Sequence, residues 1–330
     1  MLRRCPDLET LDLARTRIER WHELSAALPL CTRLQRLNLS GHQIYHWNHP
    51  FAGLAQCRGL TELRLADCEV GRVADQLGQA LLQCPALRLL DLRENDLGGV
   101  DSSVQPVVRT MSQLLAGLMH HPSLEHVDLS TCQLEMESMR LLGAALPTWP
   151  RLGHLDLYNN DLSNMTLTPL VLALPACPAL RYLRLRGNQD LTPVSLHVLT
   201  LWGALRGLES LDLSRCAIEC AHVTRNGASF VAELPLCPRL RVLNLSENRL
   251  GDTFVRALAG SLPQCALLSH LDLAETQISD AGVRALAAGV RRCPWLVRLN
   301  VRGNVFTDET RQEMQDAWRQ THVHSLGLEM

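Results

Sequence analysis

The chain of 330 residues contains no lysine: all 32 of its formal positive charges are arginine, set against 34 acidic residues. A phosphate-binding loop of the Walker type needs a lysine on the β/γ-phosphates, and Schiff-base chemistry needs an amine nucleophile. Both are excluded. The net charge of -2 leaves no basic footprint for nucleic acid or for an anionic membrane surface. No apolar run approaches 18 residues, so no membrane insertion is expected. The first residues, MLRRCPDLETLDL, hold no apolar leader core. Catalytic signatures are missing as well. There is no G-x-S-x-G, no H-E-x-x-H, no G-x-G-x-x-G after a strand and no Cys-x-x-Cys pair. A non-catalytic chain with no cofactor and no metal is expected. Isoleucine, phenylalanine and tyrosine are scarce beside the missing lysine, which fits a GC-rich coding sequence; evasion of ubiquitination is the other explanation.

What the chain has is a repeat. LRLLDLRENDL begins at Leu87, LGHLDLYNNDL at Leu152, LRVLNLSENRL at Leu240 and LVRLNVRGNVF at Leu296. The frame L-x-x-L-x-L-x-x-(N/C/T/H)-x-(apolar) also starts at Leu8, Leu34, Leu60, Leu124, Leu180, Leu208 and Leu268. A truncated twelfth block, VHSLGL, begins at Val323. Most spacings lie between 26 and 28 residues, with two longer ones of 37 and 32. Leucines at the fourth and sixth positions alternate with polar residues, which predicts a short strand with one buried face. The ninth residue follows the strand and can satisfy backbone groups that the turn leaves unpaired. Between blocks lie stretches with helical spacing, such as Phe254 to Ala259 and Val283 to Ala288. Helices need more room than strands, so stacked repeats must curve. The expectation is one α/β solenoid over residues 1–330, a horseshoe with a parallel concave sheet and convex helices.

With a period near 28 and both Asn and Cys at the ninth position, the chain resembles the ribonuclease-inhibitor class of leucine-rich repeats. That class includes the recognition regions of NOD-like receptors. The resemblance covers essentially residues 2–330. It implies ligand sensing or autoinhibition within a longer protein. The polar helical stretch TDETRQEMQDAWRQTH (307–322) and the last short strand suit a C-terminal cap over 306–330. No matching cap precedes Leu11 and Leu13, which predicts a missing N-terminal cap or upstream domain, or self-association through that end.

Eight cysteines lie three residues before a repeat's first leucine, from Cys5 to Cys293, and Cys68, Cys132 and Cys216 take ninth positions. The repeat thus accounts for all but Cys220 as small buried residues. Free thiols predict a cytoplasmic or nuclear protein. His42, His46 and His49 have spacings that could approach a metal, but His42 holds a ninth position. Trp21 and Trp47 share one offset in consecutive repeats and read as convex packing.

The concave strand face is the default binding surface of a solenoid. Its fifth-position column is Asp or Asn except at Arg64 and Arg184. His126, His154, Tyr158, Asn159, Tyr182, Arg184, Arg186 and Asp212 are the candidate partner-binding residues, because Tyr and Arg most often carry interface energy. The insertions near Gly98–Pro106 and Cys220–Ala228 are a second candidate. The expected function is a non-catalytic recognition module for a protein partner. Two alternatives are a GTPase-activating protein of the Ran type, similar in repeat number, and a bacterial effector or ubiquitin-ligase substrate adaptor.

Overall fold

A computed structural model describes residues 5–47, 49–98, 108–220, 225–322 and 327–330. The chain divides into two compact units, Met1–Asn160 with Ala176–Leu180, and Asp161–Pro175 with Arg181–Met330. The 37-residue repeat's insertion lies mostly outside the described residues, as does the middle of the second insertion; so does His324.

Unit 1 contains six strands: β1 (Thr10–Asp12), β2 (Arg36–Asn38), β3 (Glu62–Arg64), β4 (Leu89–Asp91), β5 (His126–Asp128) and β6 (His154–Asp156). Each pairs in parallel with its sequence neighbour, and equivalent repeat positions stand opposite one another: Leu37 faces Leu63, and Leu90 faces Val127. Its helices are α1 (Trp21–Ala27), α2 (Ala74–Leu81), α3 (Val108–Leu118) and α4 (Met136–Ala145). Unit 2 repeats the plan with β7 (Tyr182–Arg184), β8 (Ser210–Asp212), β9 (Val242–Asn244), β10 (His270–Asp272), β11 (Arg298–Asn300) and β12 (Leu328–Glu329). Its helices are α5 (Asn164–Ala173), α6 (Pro193–Thr200), α7 (Arg225–Glu233), α8 (Gly251–Ser261), α9 (Asp280–Val290) and α10 (Asp308–Thr321). Strands β7 to β12 are again parallel and in register.

In each full repeat the strand occupies the third to fifth positions, so its central residue points inward and its flanks outward. Leu37, Leu63, Leu155, Leu183 and Leu299 are buried, whereas their neighbours on the strand are exposed or half-buried. The sixth-position leucine, just past the strand, is buried too. The helices close the opposite side of this core. Trp149 donates its indole N–H to the Leu118 carbonyl at 2.7 Å, so a large buried ring leaves no orphan donor. Trp21 and Trp47 stack at 4.5 Å and 5°, and Trp21 bonds the Pro50 carbonyl at 2.9 Å, as packing residues should.

The second repeat differs from the expected strand–helix unit. Two short 3-10 turns, Ile44–His46 and Leu54–Gln56, replace a helix there. The segment carries Pro50, which cannot continue an α-helix. It also runs against α1, where a Cβ on Gly53 would come within 1.9 Å of the Ser25 carbonyl.

The ninth position stitches neighbouring repeats. The Asn95 carboxamide accepts from the amides of Cys68 (3.1 Å) and Val70 (3.0 Å) and donates to the carbonyls of Leu65 (2.8 Å) and Leu92 (2.7 Å). Asn248 and Asn304 make the same set one or more repeats on. Cysteine does half of this work: the thiols of Cys68 and Cys132 donate to Leu39 and Leu92 in the preceding repeat. His42 spans the same gap, with its two ring nitrogens on Leu39 and Thr16 carbonyls. All twelve cysteines are free, ten of them buried. Burial pushes the thiols of Cys57 and Cys177 up to about 11 and that of Cys84 up to about 12.

Candidate functional site

The outward side chains of a strand face are held by the turn that follows it. In nine of eleven repeats the fifth-position Asp or Asn accepts, through Oδ1, a hydrogen bond from the backbone N–H two residues on. The Asp/Asn column is thus a row of turns closed by side chains. Arginine has no acceptor, so Arg64 and Arg184 cannot close this turn. The eighth residue of all eleven repeats has positive φ, from Arg15 to Gly303. Glycine occupies this position at Gly41, Gly187 and Gly303, and elsewhere side chains take the left-handed conformation at a cost. Asn159, a candidate from the sequence, is one of these residues at φ 52°; it is exposed, and Asn tolerates the region well.

The candidates divide between the units, and each group has its own geometry. In unit 1, His126 on β5 and His154 on β6 stand opposite in register with rings stacked 5.2 Å apart at 12°. Burial holds His154 below the ordinary imidazole range; a charge on His126 pushes the same way and Glu125 opposes it. Glu125 in turn accepts from Arg88 at 2.7 Å. Tyr158 follows β6, half-buried, with its backbone N–H on Asp156 at 2.9 Å.

In unit 2, Tyr182 is 41% exposed at the start of β7. Arg184 pairs with Asp212 on the next strand at 3.7 Å. Asp212 is also the turn-closing residue of its own repeat, accepting from the Ser214 backbone at 3.0 Å and from its hydroxyl at 2.6 Å. Arg186 reaches across two repeats: it donates to the Ser214 hydroxyl at 3.2 Å and to Glu247 at 2.9 Å. Arg215 approaches the same carboxylate at 3.9 Å. Tyr182 and Arg184 therefore present themselves outward, while Arg186 and Asp212 are partly committed to the fold. Glu247 is the residue that sequence reading missed. It lies in the eighth-position column, which was not singled out, although the glycines at 41, 187 and 303 mark that column as special.

Among the described residues no three His, Cys, Asp or Glu side chains converge as a metal site. His46 and His49 lie exposed, apart from the backbone-bonded His42. No described helix is long and apolar enough to cross a membrane.

A leucine-rich-repeat family model matches residues 237–259, 264–287 and 292–310. The chain carries leucine-rich repeats. Solved structures extend the likeness in fold to nearly the whole length. The leucine-rich repeat-containing protein LegL7 from Legionella pneumophila is similar at 18% identity and TM-score 0.58, over 94% of this chain and 98% of that one. A chain of the yeast Rad7–Elc1 complex is similar at 18% identity and TM-score 0.61, over 95% and 73%. No curated protein sequence matches the chain. The leucine-rich-repeat solenoid is the fold these comparisons share with the strands and helices above.

Proposed function

We propose that this leucine-rich-repeat chain is a non-catalytic recognition module that binds a folded protein partner through the exposed strand face. The observation that carries the reading is the fixed row of outward third- and fifth-position side chains. Their turns are locked by the Asx bonds and the ninth-position ladder, so little ordering remains to be done on binding. Tyr182 and Arg184 are the anchors of that face in unit 2, with His126, His154 and Tyr158 as a separate group in unit 1. Truncation of Tyr182 or Arg184 to alanine is expected to weaken an identified partner by about 2 kcal/mol or more. The same changes, on an exposed face, shift unfolding by only about 0.5 kcal/mol. Full affinity in both variants, measured by calorimetry, removes the assignment.

Within that class, the spacing near 28 and the partial Asn/Cys alternation support a ligand-sensing or autoinhibitory role like that of NOD-like-receptor-type proteins, in a cytoplasmic setting that keeps the thiols reduced. Two measurements separate this from the alternatives. Stimulated GTP hydrolysis by a small GTPase assigns a Ran-type activator. Stoichiometric binding of a ubiquitin-ligase subunit assigns a substrate adaptor.

A further inference from the structure

The strand face of β1 to β3 in unit 1 holds a shallow cavity of about 160 Å³, with Thr10, Asp12, Arg36, Asn38, Glu62 and Arg64 on its wall. Its two acids are poorly placed to neutralise its two guanidiniums. Asp12 is taken up by the backbone N–H of Ala14 at 2.9 Å and by the Asn38 side chain at 3.2 Å. Glu62 stays 3.8 Å from Arg64, beyond hydrogen-bond reach. Arg36 donates once, to the Thr10 hydroxyl at 3.0 Å, and meets no acid within ion-pair distance among the described residues. All but one of the N–H donors that these guanidiniums carry are thus unused within the described residues. Elsewhere on the strand faces the pattern differs, with Arg88 and Arg186 each within 3 Å of a carboxylate.

Position 64 is also a costly place for arginine, since it forgoes the acceptor that closes the turn in nine other repeats. The fold supplies a substitute. The orphaned N–H of Ala66 is taken by the Ser40 hydroxyl of the preceding repeat at 3.1 Å. A local rule broken and compensated from a neighbouring repeat is what a functional position looks like. We propose that Arg36 and Arg64 form a carboxylate clamp, which takes acidic side chains of a partner polypeptide on the β1–β3 face. The planar guanidinium fork matches a carboxylate in two parallel bonds. Two acidic residues in an extended segment, one residue apart, lie about 6.6 Å from each other on one side of the chain. Arg36 and Arg64 sit one strand and two residues apart, a diagonal of about 7–8 Å.

The inference rests on the strand face being a recognition surface and names the chemistry of one part of it. The test titrates the full chain with a blocked Glu-Ala-Glu peptide and with its Gln-Ala-Gln counterpart at low salt. It reads the Arg Nε–Hε signals by NMR and the affinity by calorimetry. The acidic peptide is expected to move the Arg36 and Arg64 signals, and the neutral one to leave them still. Arg64→Asn restores the acceptor that the column uses elsewhere, so the amide spectrum of the fold holds while affinity falls at least about threefold. Arg36→Gln lowers it similarly. Unmoved arginine signals overturn the clamp, and so does unchanged affinity in both variants. Either result leaves the strand-face reading to the Tyr182 and Arg184 variants, which lie in the other unit.

Discussion

Asn95 shows what a single side chain contributes in this fold. Its buried carboxamide satisfies two amides and two carbonyls in two successive repeats. Asn95→Ala removes the partner of each while leaving them buried. An unsatisfied buried group costs about 1–3 kcal/mol, so a loss of at least about 3 kcal/mol is expected in urea unfolding. Cys132→Ala gives up a weaker thiol donor and a small side chain, and should cost about 1 kcal/mol. Asp91 makes a prediction about pH. Burial raises its pKa above the ordinary carboxylate value, against the opposing pull of the Arg93 backbone bond and charge. A raised carboxyl contributes stability that is present below its unfolded value and lost as pH rises through the folded one. Asp91→Asn keeps the acceptor for Arg93. It should be more stable than the parent at pH 7, with the gap narrowing as pH is lowered toward 4. Equal thermal stability across that range would contradict the burial argument. The ninth and fifth columns were legible in the sequence as polar positions after a strand. What each one bonds was not, since the Asn amide reaches across a gap of some 27 residues that only the stacked register reveals.

At the scale of elements, the strands could be placed because the leucine spacing is a period of two and then stops. The helices of unit 2, α8 and α9, follow their apolar spacing in the same way. The missing helix of the second repeat was not foreseen, because 26 residues suffice for a repeat closed by 3-10 turns and the apolar spacing alone does not distinguish the two. Close helix approach was equally hidden. In unit 1, α2 and α3 meet through Gly78 and Gly117, and a Cβ on Gly117 would lie 1.9 Å from the Gly78 carbonyl. Backbone has no rotamer with which to move aside. Gly117→Ala is therefore expected to cost about 2 kcal/mol by overpacking, despite alanine's better helix propensity. A stabilised variant would show that α2 and α3 do not pack this closely.

Across the whole molecule, the thiols and the first strand supply two further tests. With burial raising the pKa of so many thiols, native labelling at pH 8 should modify half-exposed Cys5 first, and leave Cys84, Cys132 and Cys216 protected until unfolding. Stability should also decline as pH rises above 9, because the unfolded thiols ionise before the folded ones. Leu11 and Leu13 are part-exposed where the equivalent leucines of later repeats are buried. Hydrogen exchange at Leu11–Leu13 is therefore expected to run faster than at Leu155–Leu157. Equal protection in a monomer would remove the proposal that this end frays or self-associates.

The central claim is that the strand face, not the helical side, meets the partner. A photo-crosslinking amino acid introduced singly at outward strand positions (36, 64, 154, 182 and 184) and at exposed helix positions (140, 256 and 284) tests it directly in cells that make the protein. The account predicts one discrete protein adduct from the strand positions, lost when Tyr182 or Arg184 is changed to alanine in the crosslinkable chain, and none from the helix positions. Adducts confined to the helix positions would contradict it.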